Sequence, residues 1–573
     1  MSALKIYEKW VSSPSLDESL RNELIEIKGN QAEIEERFSV SLEFGTGGLR
    51  GIIRAGTNGM NIHTVRWATQ GLSNLIIKTG ADAMKKGVAI AYDSRLYSKE
   101  FAAEAAAVFA ANGIKAFLFP ELSPTPLLSF AVRELGAIAG VVVTASHNPA
   151  KYNGYKAYWS DGGQLPPEEA DIVYAEMNKV DIFCDVKTIE FSEGMKNGLI
   201  EYVSQDVNEA YYKAILELSI NKDAIKNTDI SVVYTPFHGA GNIPVREILK
   251  RVGLKNITVV KEQELPDPAF STVKSPNPED PDGFYLAIDY AKKVDADIII
   301  GTDPDSDRVG LLLKNKASEY EILNGNQIGI ILVNYILQGR KKNNAIPENG
   351  VVVKTIVTTN MIYELAKEYN ISVINVLTGF KFIGEQIKMF EETGKYTYLF
   401  GFEESYGYLS GTHARDKDAI NAAMLICEAA AFYKEKGKTL KEVLDEIYKK
   451  YGYYNETQLA ITHEGITGAE KIKKMMAEIR ENLPWEFSGV KCVEARDYLS
   501  LTITDMNSMT KAPLDFAKSN VLSFLLTDGT VLTIRPSGTE PKIKAYVMTK
   551  GKTPEEMEEN MNKYTIAMKG LLN

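Results

Sequence analysis

Cysteine, histidine and long apolar runs are scarce in this sequence, and each scarcity excludes a class of protein. The three cysteines are Cys184, Cys427 and Cys492, none in a CxxC pair, which indicates thiols of a reducing compartment rather than a disulfide framework. The five histidines show no HExxH or similar spacing, which argues against a catalytic zinc. No stretch reaches the roughly 18 apolar residues of a membrane span, and the first ten residues contain no apolar signal region. We therefore expect a cytoplasmic protein.

Basic residues are outnumbered by acidic ones. Lysine and arginine number 65 against 76 aspartates and glutamates, for a formal net charge of −11. This balance argues against nucleic acid and anionic membranes as partners. It does not exclude an anionic substrate, because a local cationic cleft can exist in an acidic protein. The 573 residues suggest about three to five domains.

Apolar strands alternate with helices in three successive parts of the chain. We predict strands at 87–92, 114–119 and 137–143, then at 230–234, 257–260 and 296–300, then at 351–356, 372–376 and 396–400. Continuous apolar strands between helices indicate sheets covered on both faces. Residues 1–39 are polar and periodic and predict helices, and Ser98 is predicted to be the N-cap of a helix over 99–111.

The last hundred or so residues have a different pattern. Asp528-Gly529 between the apolar runs 522–526 and 531–534 predicts a hairpin, and 543–548 predicts another strand. We therefore predict an α/β protein with three similar mixed-sheet α/β domains and a smaller C-terminal α+β domain. The predicted domains are residues 1–205, 206–320, 321–451 and 452–573.

The loop after the third strand of the first repeat contains Ser146, His147 and Asn148. Loops at the carboxyl ends of strands in open α/β sheets are where ligands bind. A simple turn explains the tripeptide alone. The nearby Asn153-Gly154-Tyr155-Lys156 adds a flexible backbone point and a cation, which favours anion chemistry.

The loop after the third strand of the second repeat contains Asp303, Asp305, Asp307 and Arg308. Three carboxylates so close together repel one another unless a cation neutralises them, which indicates a hard divalent ion, with Mg²⁺ the best fit. An EF-hand is a poor alternative, because Arg308 stands at the sixth loop position, where that motif needs glycine.

The corresponding loop of the third repeat contains Glu403 and Ser405, followed by Arg415 and Lys417. Carboxylate and hydroxyl groups beside a strand end suit a polyol. The two cations would stabilise charge or move protons, although a surface ion-pair cluster is the alternative.

The C-terminal domain offers Arg535-Pro536-Ser537-Gly538-Thr539-Glu540. Small hydroxyl residues around a glycine leave backbone N–H groups for an anion, and the arginine fork suits phosphate. The glycine-rich segment 43–51, with Arg50, is a weak signal alone, because no strand precedes it.

In this order, the motifs TASHNP, DPDSDR, FEESYG with ARDKD, and RPSGTEPK resemble the α-D-phosphohexomutases, from Phe44 to about Lys544. Within that family the sequence is most similar to the bacterial α-phosphoglucomutases. The resemblance implies four domains around a central cleft, each lending one loop. It also implies one Mg²⁺ per chain, glucose 1,6-bisphosphate as an activator or primer, and a monomer or weak homo-oligomer.

The resemblance assigns residues position by position. The implied catalytic set is Ser146 as the phosphorylated serine, His147, Lys156, Arg50, Arg308 and Lys417, the last a candidate general base. The implied metal ligands are the Ser146 phosphate, Asp303, Asp305 and Asp307. The implied substrate-binding set is Thr378, Gly379, Phe380, Lys381, Glu403, Ser405, Arg415, Arg535, Ser537, Gly538 and Thr539.

The implied reaction interconverts glucose 1-phosphate and glucose 6-phosphate through a phosphoserine enzyme and a glucose 1,6-bisphosphate intermediate. The loop Thr378–Lys381 reads TGFK, closer to the glucomutase pattern than to the dual-specificity form, and Tyr406 stands where that form has glycine. Phosphomannomutase and phosphopentomutase activities remain alternatives.

Two alternatives come from other classes of protein. A haloacid-dehalogenase-type phosphatase would use Asp303 as nucleophile and Asp305 as acid/base, but no matching downstream lysine and acidic pair is evident, and Ser146 is left unexplained. A non-catalytic sugar-phosphate sensor on the same fold is the second alternative.

Overall fold

The computed structural model describes residues 2–45, 47–315, 317–463, 466–537 and 542–572. The chain forms two compact units. The first contains Met1–Asn324, Ile383–Gly394 and Ser405–Gly437, and the second contains Gly325–Phe382, Lys395–Glu404 and Lys438–Asn573. Among the described residues, no helix is long and apolar enough to cross a membrane.

The N-terminal part begins with the predicted helices and continues into a mixed sheet. The helices are α1 Ala3–Ser12, α2 Glu18–Glu26, α3 Gln31–Phe38, α4 Ile62–Thr79, α5 Ala81–Lys86, α6 Ser98–Ala111, α7 Thr125–Glu134, α8 Pro167–Met177 and α9 Phe191–Lys196. The strands are β1 Gly48–Ile52, β2 Val88–Tyr92, β3 Ala116–Leu118, β4 Ala139–Val143, β5 Tyr152–Trp159 and β6 Ile200–Tyr202. Their order is β1-β5-β4-β2-β3-β6, with β2 parallel to both β3 and β4, and β5 antiparallel to β4 and β1. The carboxyl ends of β2 and β4 therefore meet at one edge of the sheet.

The second repeat has the same design. Its helices are α10 Gln205–Leu216, α11 Ala224–Asn227, α12 Asn242–Arg251, α13 Lys261–Glu264 and α14 Tyr285–Val294, with a 3₁₀ turn at Pro281–Phe284. Its strands are β7 Ser231–Thr235, β8 Asn256–Val259, β9 Ile298–Thr302, β10 Val309–Lys314 and β11 Tyr320–Ile322, in the order β11-β10-β9-β7-β8. Strand β9 is buried along its whole length, so the acidic loop that follows it begins inside the protein.

The third repeat contains the parallel strands β12 Gly350–Thr355, β13 Ser372–Val376 and β14 Thr397–Glu403, of which β12 is central. The remaining elements are α15 Gly325–Lys342, α16 Met361–Tyr369, α17 Phe380–Thr393, β15 Gly407–Ser410, α18 Ala419–Glu435 and α19 Leu440–Tyr451.

The described residues of the C-terminal part form an antiparallel sheet with two helices. The strands are β16 Tyr453–Thr462, β17 Glu486–Phe487, β18 Val490–Asp497, β19 Thr502–Asp505, β20 Lys511–Pro513, β21 Leu522–Leu526, β22 Val531–Pro536 and β23 Lys542–Gly551, and the helices are α20 Ile466–Glu481 and α21 Pro554–Leu572. The predicted hairpin is β21–β22, and Gly529 supplies its left-handed turn residue with φ +83°.

The predicted fold class of three mixed-sheet α/β domains and a C-terminal α+β domain is confirmed. The four predicted domain boundaries stay predictions. Ser98 as a helix cap is wrong: Tyr97 is the N-cap of α6, and the Ser98 hydroxyl donates over 2.8 Å to Oδ1 of Asp93 instead. The N-terminus of a helix offers only N–H donors, so the Ser98 hydroxyl proton is donated to the buried carboxylate of Asp93.

Candidate active site

Ser146 lies on the loop that follows the buried strand β4. Its backbone is left-handed, with φ +50°, and its side chain is buried. Its Oγ donates a hydrogen bond to Oδ2 of Asp303 over 2.7 Å. Because the hydroxyl proton is then committed to Asp303, the 3.1 Å contact with Nδ1 of His147 requires a ring N–H that donates to Oγ. The serine thus faces a carboxylate on one side and an imidazole on the other.

The acidic loop after β9 brings Asp303, Asp305 and Asp307 together, all three buried. One oxygen of each lies within 4.8 Å of the others. Oδ1 of Asp303 accepts the backbone N–H groups of Asp307 and Arg308, over 3.1 and 3.0 Å. Oδ1 of Asp305 and Oδ1 of Asp307 are buried and have no hydrogen-bond partner within the described part of the chain. A cluster of this kind suits a cation with oxygen ligands.

The crowded carboxylates perturb one another. Burial, and then the negative charges of Asp305 and Asp307, raise the pKa of Asp303 well above its usual range. Burial alone would also raise the pKa of Asp307, but the ammonium groups of Lys156 and Lys417 outweigh burial and hold that pKa below its usual range. Asp303 is the carboxylate that the neighbouring cations fail to stabilise, so a bound cation would restore its charged form.

Two lysines contact the acidic cluster from different strands and loops. Lys156, on β5 beside β4, places Nζ 2.6 Å from Oδ2 of Asp305 and 3.1 Å from Oδ2 of Asp307. Nζ of Lys417 lies 3.2 Å from Oδ2 of Asp307 and 2.9 Å from Oδ1 of Asp416. The structure therefore places Lys156 and Lys417, both predicted from the sequence, against the candidate metal site.

The two predicted arginines border the same place. Nη1 of Arg308 lies 2.5 Å from Oε1 of Glu279. Arg50 is exposed on β1, and its Nη1 donates to Oδ1 of Asn148 over 3.1 Å, next to the Ser146 loop. Partial burial of His147, with the positive charges of Arg308 and Arg50, lowers its pKa well below the usual range, which keeps its ring neutral at pH 7.

Arg415 and Ser405 are not part of this cluster. The Arg415 side chain is buried, donates to the carbonyl of Thr412 over 2.8 Å, and pairs with Glu391. Ser405 is half-buried and precedes Tyr406, whose φ is +64°. Substrate binding by these two residues stays a prediction.

The second unit carries the predicted sugar and phosphate loops. Oε1 of Glu403 accepts the backbone N–H of Gly379 over 2.9 Å, which joins the end of β14 to the loop Thr378–Lys381. Phe380 is buried, and Nζ of Lys381 lies 4.9 Å from the ring centroid of Phe382.

The phosphate loop follows strand β22. Arg535 lies opposite Lys544 in the β22–β23 pairing, and the backbone N–H of Ser537 donates to the backbone carbonyl of Lys542 over 2.7 Å. The predicted binding residues Gly538 and Thr539 lie outside the described residues.

Models of four domains of one family match the chain. Phosphoglucomutase/phosphomannomutase α/β/α domains I, II and III match residues 41–182, 209–316 and 324–451, and the C-terminal domain matches residues 489–562. The phosphoglucomutase of Staphylococcus saprophyticus is 36% identical over 93% of this chain and 94% of the relative, and that of Staphylococcus aureus strain MRSA252 is 37% identical over the same shares. The chain belongs to the phosphoglucomutase/phosphomannomutase family.

Solved structures agree on the fold of this family member. The open form of the Paramecium exocytosis-sensitive phosphoprotein parafusin, a phosphoglucomutase, has a TM-score of 0.67 and 19% identity, covering 93% of this chain and 95% of that one. A phosphoglucomutase/phosphomannomutase family protein of Burkholderia thailandensis has a TM-score of 0.65 and 16% identity, covering 92% and 97%. None of these matches supports the haloacid-dehalogenase alternative.

Several residues that contact the Ser146 loop and the acidic loop were not predicted from the sequence. Thr125 donates through Oγ1 to Oδ2 of Asp305 over 2.8 Å, and Ser275 donates to the carbonyl of His147 over 2.7 Å. Asp93 and Arg95, after β2, border the Ser146 loop. The last pair could have been found, because β2 is as apolar as β4 and its loop is equally polar.

Proposed function

We propose that this protein is a phosphoglucomutase, an isomerase that interconverts glucose 1-phosphate and glucose 6-phosphate by phosphoryl transfer through Ser146. The observation that carries the proposal is the 2.7 Å hydrogen bond from Oγ of Ser146 to Asp303, within a buried triple-aspartate cluster. The phosphoglucomutases that match over 93% of the chain support the choice of glucose.

We propose that Asp303, Asp305 and Asp307 hold one Mg²⁺ together with the phosphate on Ser146. The support is the all-oxygen donor set and the two buried carboxylate oxygens that have no hydrogen-bond partner among the described residues. When bound, the ion supplies Lewis-acid stabilisation to the oxygens of the migrating phosphoryl group.

Each transfer breaks one P–O bond and forms another. The bond between phosphorus and Oγ of Ser146 breaks, a bond from phosphorus to a sugar hydroxyl oxygen forms, and that hydroxyl releases its proton. The bisphosphate formed then presents its other phosphate to Ser146, and the reverse transfer restores the phosphoserine. Because Ser146 is only 3% exposed, its site excludes most water, which favours transfer to a sugar over hydrolysis.

Two residues are suited to handle protons. The neutral ring of His147 donates through Nδ1–H to Oγ of Ser146 and so stabilises that oxygen as it leaves phosphorus. Lys417 remains the candidate base for the sugar hydroxyl. Its ammonium is stabilised by Asp307 and Asp416, so it must lose a proton before it accepts one, and until then it offsets negative charge on the phosphoryl group.

We assign the remaining residues to substrate binding. Lys156, Arg308 and Arg50 offset phosphate charge beside Ser146. Glu403 and the loop Thr378–Lys381 bind sugar hydroxyls, and the loop that begins at Arg535 binds the phosphate that does not react. Glucose 1,6-bisphosphate is proposed as the primer that phosphorylates Ser146.

We further propose that the enzyme works in the cytoplasm, as a monomer or weak homo-oligomer, and binds neither nucleic acid nor membranes. The net charge of −11 supports the last two points. Sedimentation at several protein concentrations measures the oligomeric state.

The test combines an activity assay with intact-protein mass spectrometry. Purified protein with Mg²⁺ and glucose 1,6-bisphosphate is expected to convert glucose 1-phosphate fastest among the 1-phosphates of glucose, mannose, ribose and deoxyribose. It is also expected to carry one hydroxylamine-stable phosphate on Ser146. A hydroxylamine-labile phosphate on Asp303 would instead identify an acyl-phosphate enzyme and refute the proposal, as would binding without turnover.

A further inference from the structure

Arg95 is an arginine without contact with solvent, near the nucleophilic serine. It follows β2, at the sheet edge where β4 leads to Ser146, and its side chain is completely buried. A buried guanidinium is stable only when its N–H donors find acceptors inside the protein. The acceptors of Arg95 therefore identify the segment of backbone that it holds in place.

The guanidinium donates to four backbone carbonyls of the serine loop. Nη1 lies 3.0 Å from the carbonyl oxygens of both Pro149 and Tyr152. Nη2 donates to the carbonyls of Ser146 and Asn148. One planar group therefore fixes the loop from the serine to the start of β5.

Asp93 attaches the other side of the serine to the same arginine. Its Oδ1 accepts the backbone N–H of Arg95 over 3.0 Å, and its Oδ2 accepts Oγ1–H of Thr144 over 2.6 Å. Oγ1 of Thr144 in turn accepts the backbone N–H of Ser146 over 2.8 Å. Both backbone polar groups of Ser146 thus connect to the Asp93–Arg95 pair.

Ser146 needs such support because its left-handed φ of +50° is unfavourable for a residue with a side chain. We propose that Arg95 is a positioning residue for phosphoryl transfer, which holds the backbone of Ser146 so that Oγ points at Asp303. The proposal rests on the proposed function. The Arg95 side chain is completely buried and acts through the backbone of the Ser146 loop, so it does not contact substrate.

The main test is Arg95→Lys, which keeps the positive charge and loses the planar fork. An ammonium group has three N–H donors in tetrahedral geometry and cannot replace a planar group that donates to four carbonyls. We expect kcat for glucose 1-phosphate to fall about 10- to 100-fold, the effect of a small displacement of a reacting group, while KM changes less than about threefold. The single-turnover rate at which glucose 1,6-bisphosphate phosphorylates Ser146 should fall by the same factor as kcat.

The matched control is Arg37→Lys. Arg37 is also mostly buried and donates to Glu33 over 3.0 Å, and it pairs with Glu23 among the N-terminal helices. This variant should lose thermal stability and keep kcat. If kcat fell in proportion to the loss of thermal stability, and to the same extent in Arg95→Lys and Arg37→Lys, the positioning role would be overturned.

Chemical rescue distinguishes the planar hydrogen-bonding geometry of the Arg95 guanidinium from its positive charge. In Arg95→Ala, guanidinium chloride at millimolar concentration should raise kcat above its value in equal sodium chloride, and methylammonium chloride should not. Full activity in Arg95→Lys, or equal rescue by methylammonium, would overturn the proposal and leave the proposed function intact. An inactive wild-type enzyme would overturn both.

Discussion

The hydroxyl of Ser146 donates a 2.7 Å hydrogen bond to Asp303, a residue 157 positions later in the chain. The contact joins the ends of two buried strands from two different sheets. It places the proposed phosphorylation site directly against the proposed metal site, so that both can be tested through one side chain.

Replacing Ser146 with alanine should abolish the mutase reaction and leave the fold intact. We expect kcat/KM for glucose 1-phosphate to fall at least about 10³-fold, because the covalent intermediate can no longer form. The control is Ser73→Ala, which removes another buried hydroxyl, bonded to the carbonyl of Thr69 in helix α4. Substantial turnover in Ser146→Ala would contradict the mechanism.

Mg²⁺ should stabilise the protein through the three aspartates. Because the ion binds only the folded cluster, saturation at about 100 times Kd adds roughly 2.7 kcal/mol to the free energy of unfolding. Differential scanning fluorimetry with and without EDTA measures the effect, and Asp305→Asn should reduce it strongly. Glu428→Gln is the control, since Glu428 is a buried carboxylate that binds the backbone of Ile220 and Asn221. An equal Mg²⁺ response in Asp305→Asn would locate the ion elsewhere.

Glu403 and Glu404 are adjacent carboxylates for which we predict different roles. Oε1 of Glu403 accepts from Gly379 in the sugar loop, whereas Oε2 of Glu404 accepts from Thr355 and Thr358. Glu403→Gln should lower kcat/KM for glucose 1-phosphate about 10- to 100-fold through weaker hydroxyl binding. Glu404→Gln should chiefly lower the melting temperature. The reverse pattern of kinetics and melting would refute the assignment.

Lys354 should make the stability of the second unit depend on pH. It is buried at the end of β12, and burial lowers its pKa to about 7 against 10.5 in the unfolded chain. Between these values the unfolded state binds more protons than the folded state, so the free energy of unfolding rises with pH. From pH 7 to 9.5 the wild type should gain roughly 2 to 3 kcal/mol over Lys354→Met.

Urea unfolding at the two pH values measures this gain. Lys367→Met, which removes an exposed lysine of α16, should follow the wild type. Parallel stability profiles for the wild type and Lys354→Met would show that Lys354 keeps an ordinary pKa in the folded protein.

The serine and aspartate loops were predictable because apolar strands end abruptly in polar residues there, and strand ends meet at sheet edges. The place of Arg95 after β2 was predictable in the same way, but its role was not, because that role comes from four backbone carbonyls, and backbone acceptors leave no trace in side-chain identity. Arg415 shows another limit: a sequence does not reveal that its side chain is buried and paired with Glu391, and its role in substrate binding stays a prediction. Serine is a common residue at a helix N-cap, which is why Ser98 was predicted to be one. Its hydroxyl donates to the nearby Asp93 instead.

The left-handed backbone at Ser146 is unfavourable for any residue with a side chain, including the serine that acts as the proposed nucleophile. A left-handed φ costs a residue with a side chain about 1–2 kcal/mol relative to glycine. The hydrogen bond from Oγ to the buried Asp303 offsets a cost of that size, so Ser146→Gly should relax the backbone, leave Asp303 without its donor and change the melting temperature little. Folding stability therefore hardly discriminates between serine and glycine at this position, whereas turnover depends on the difference.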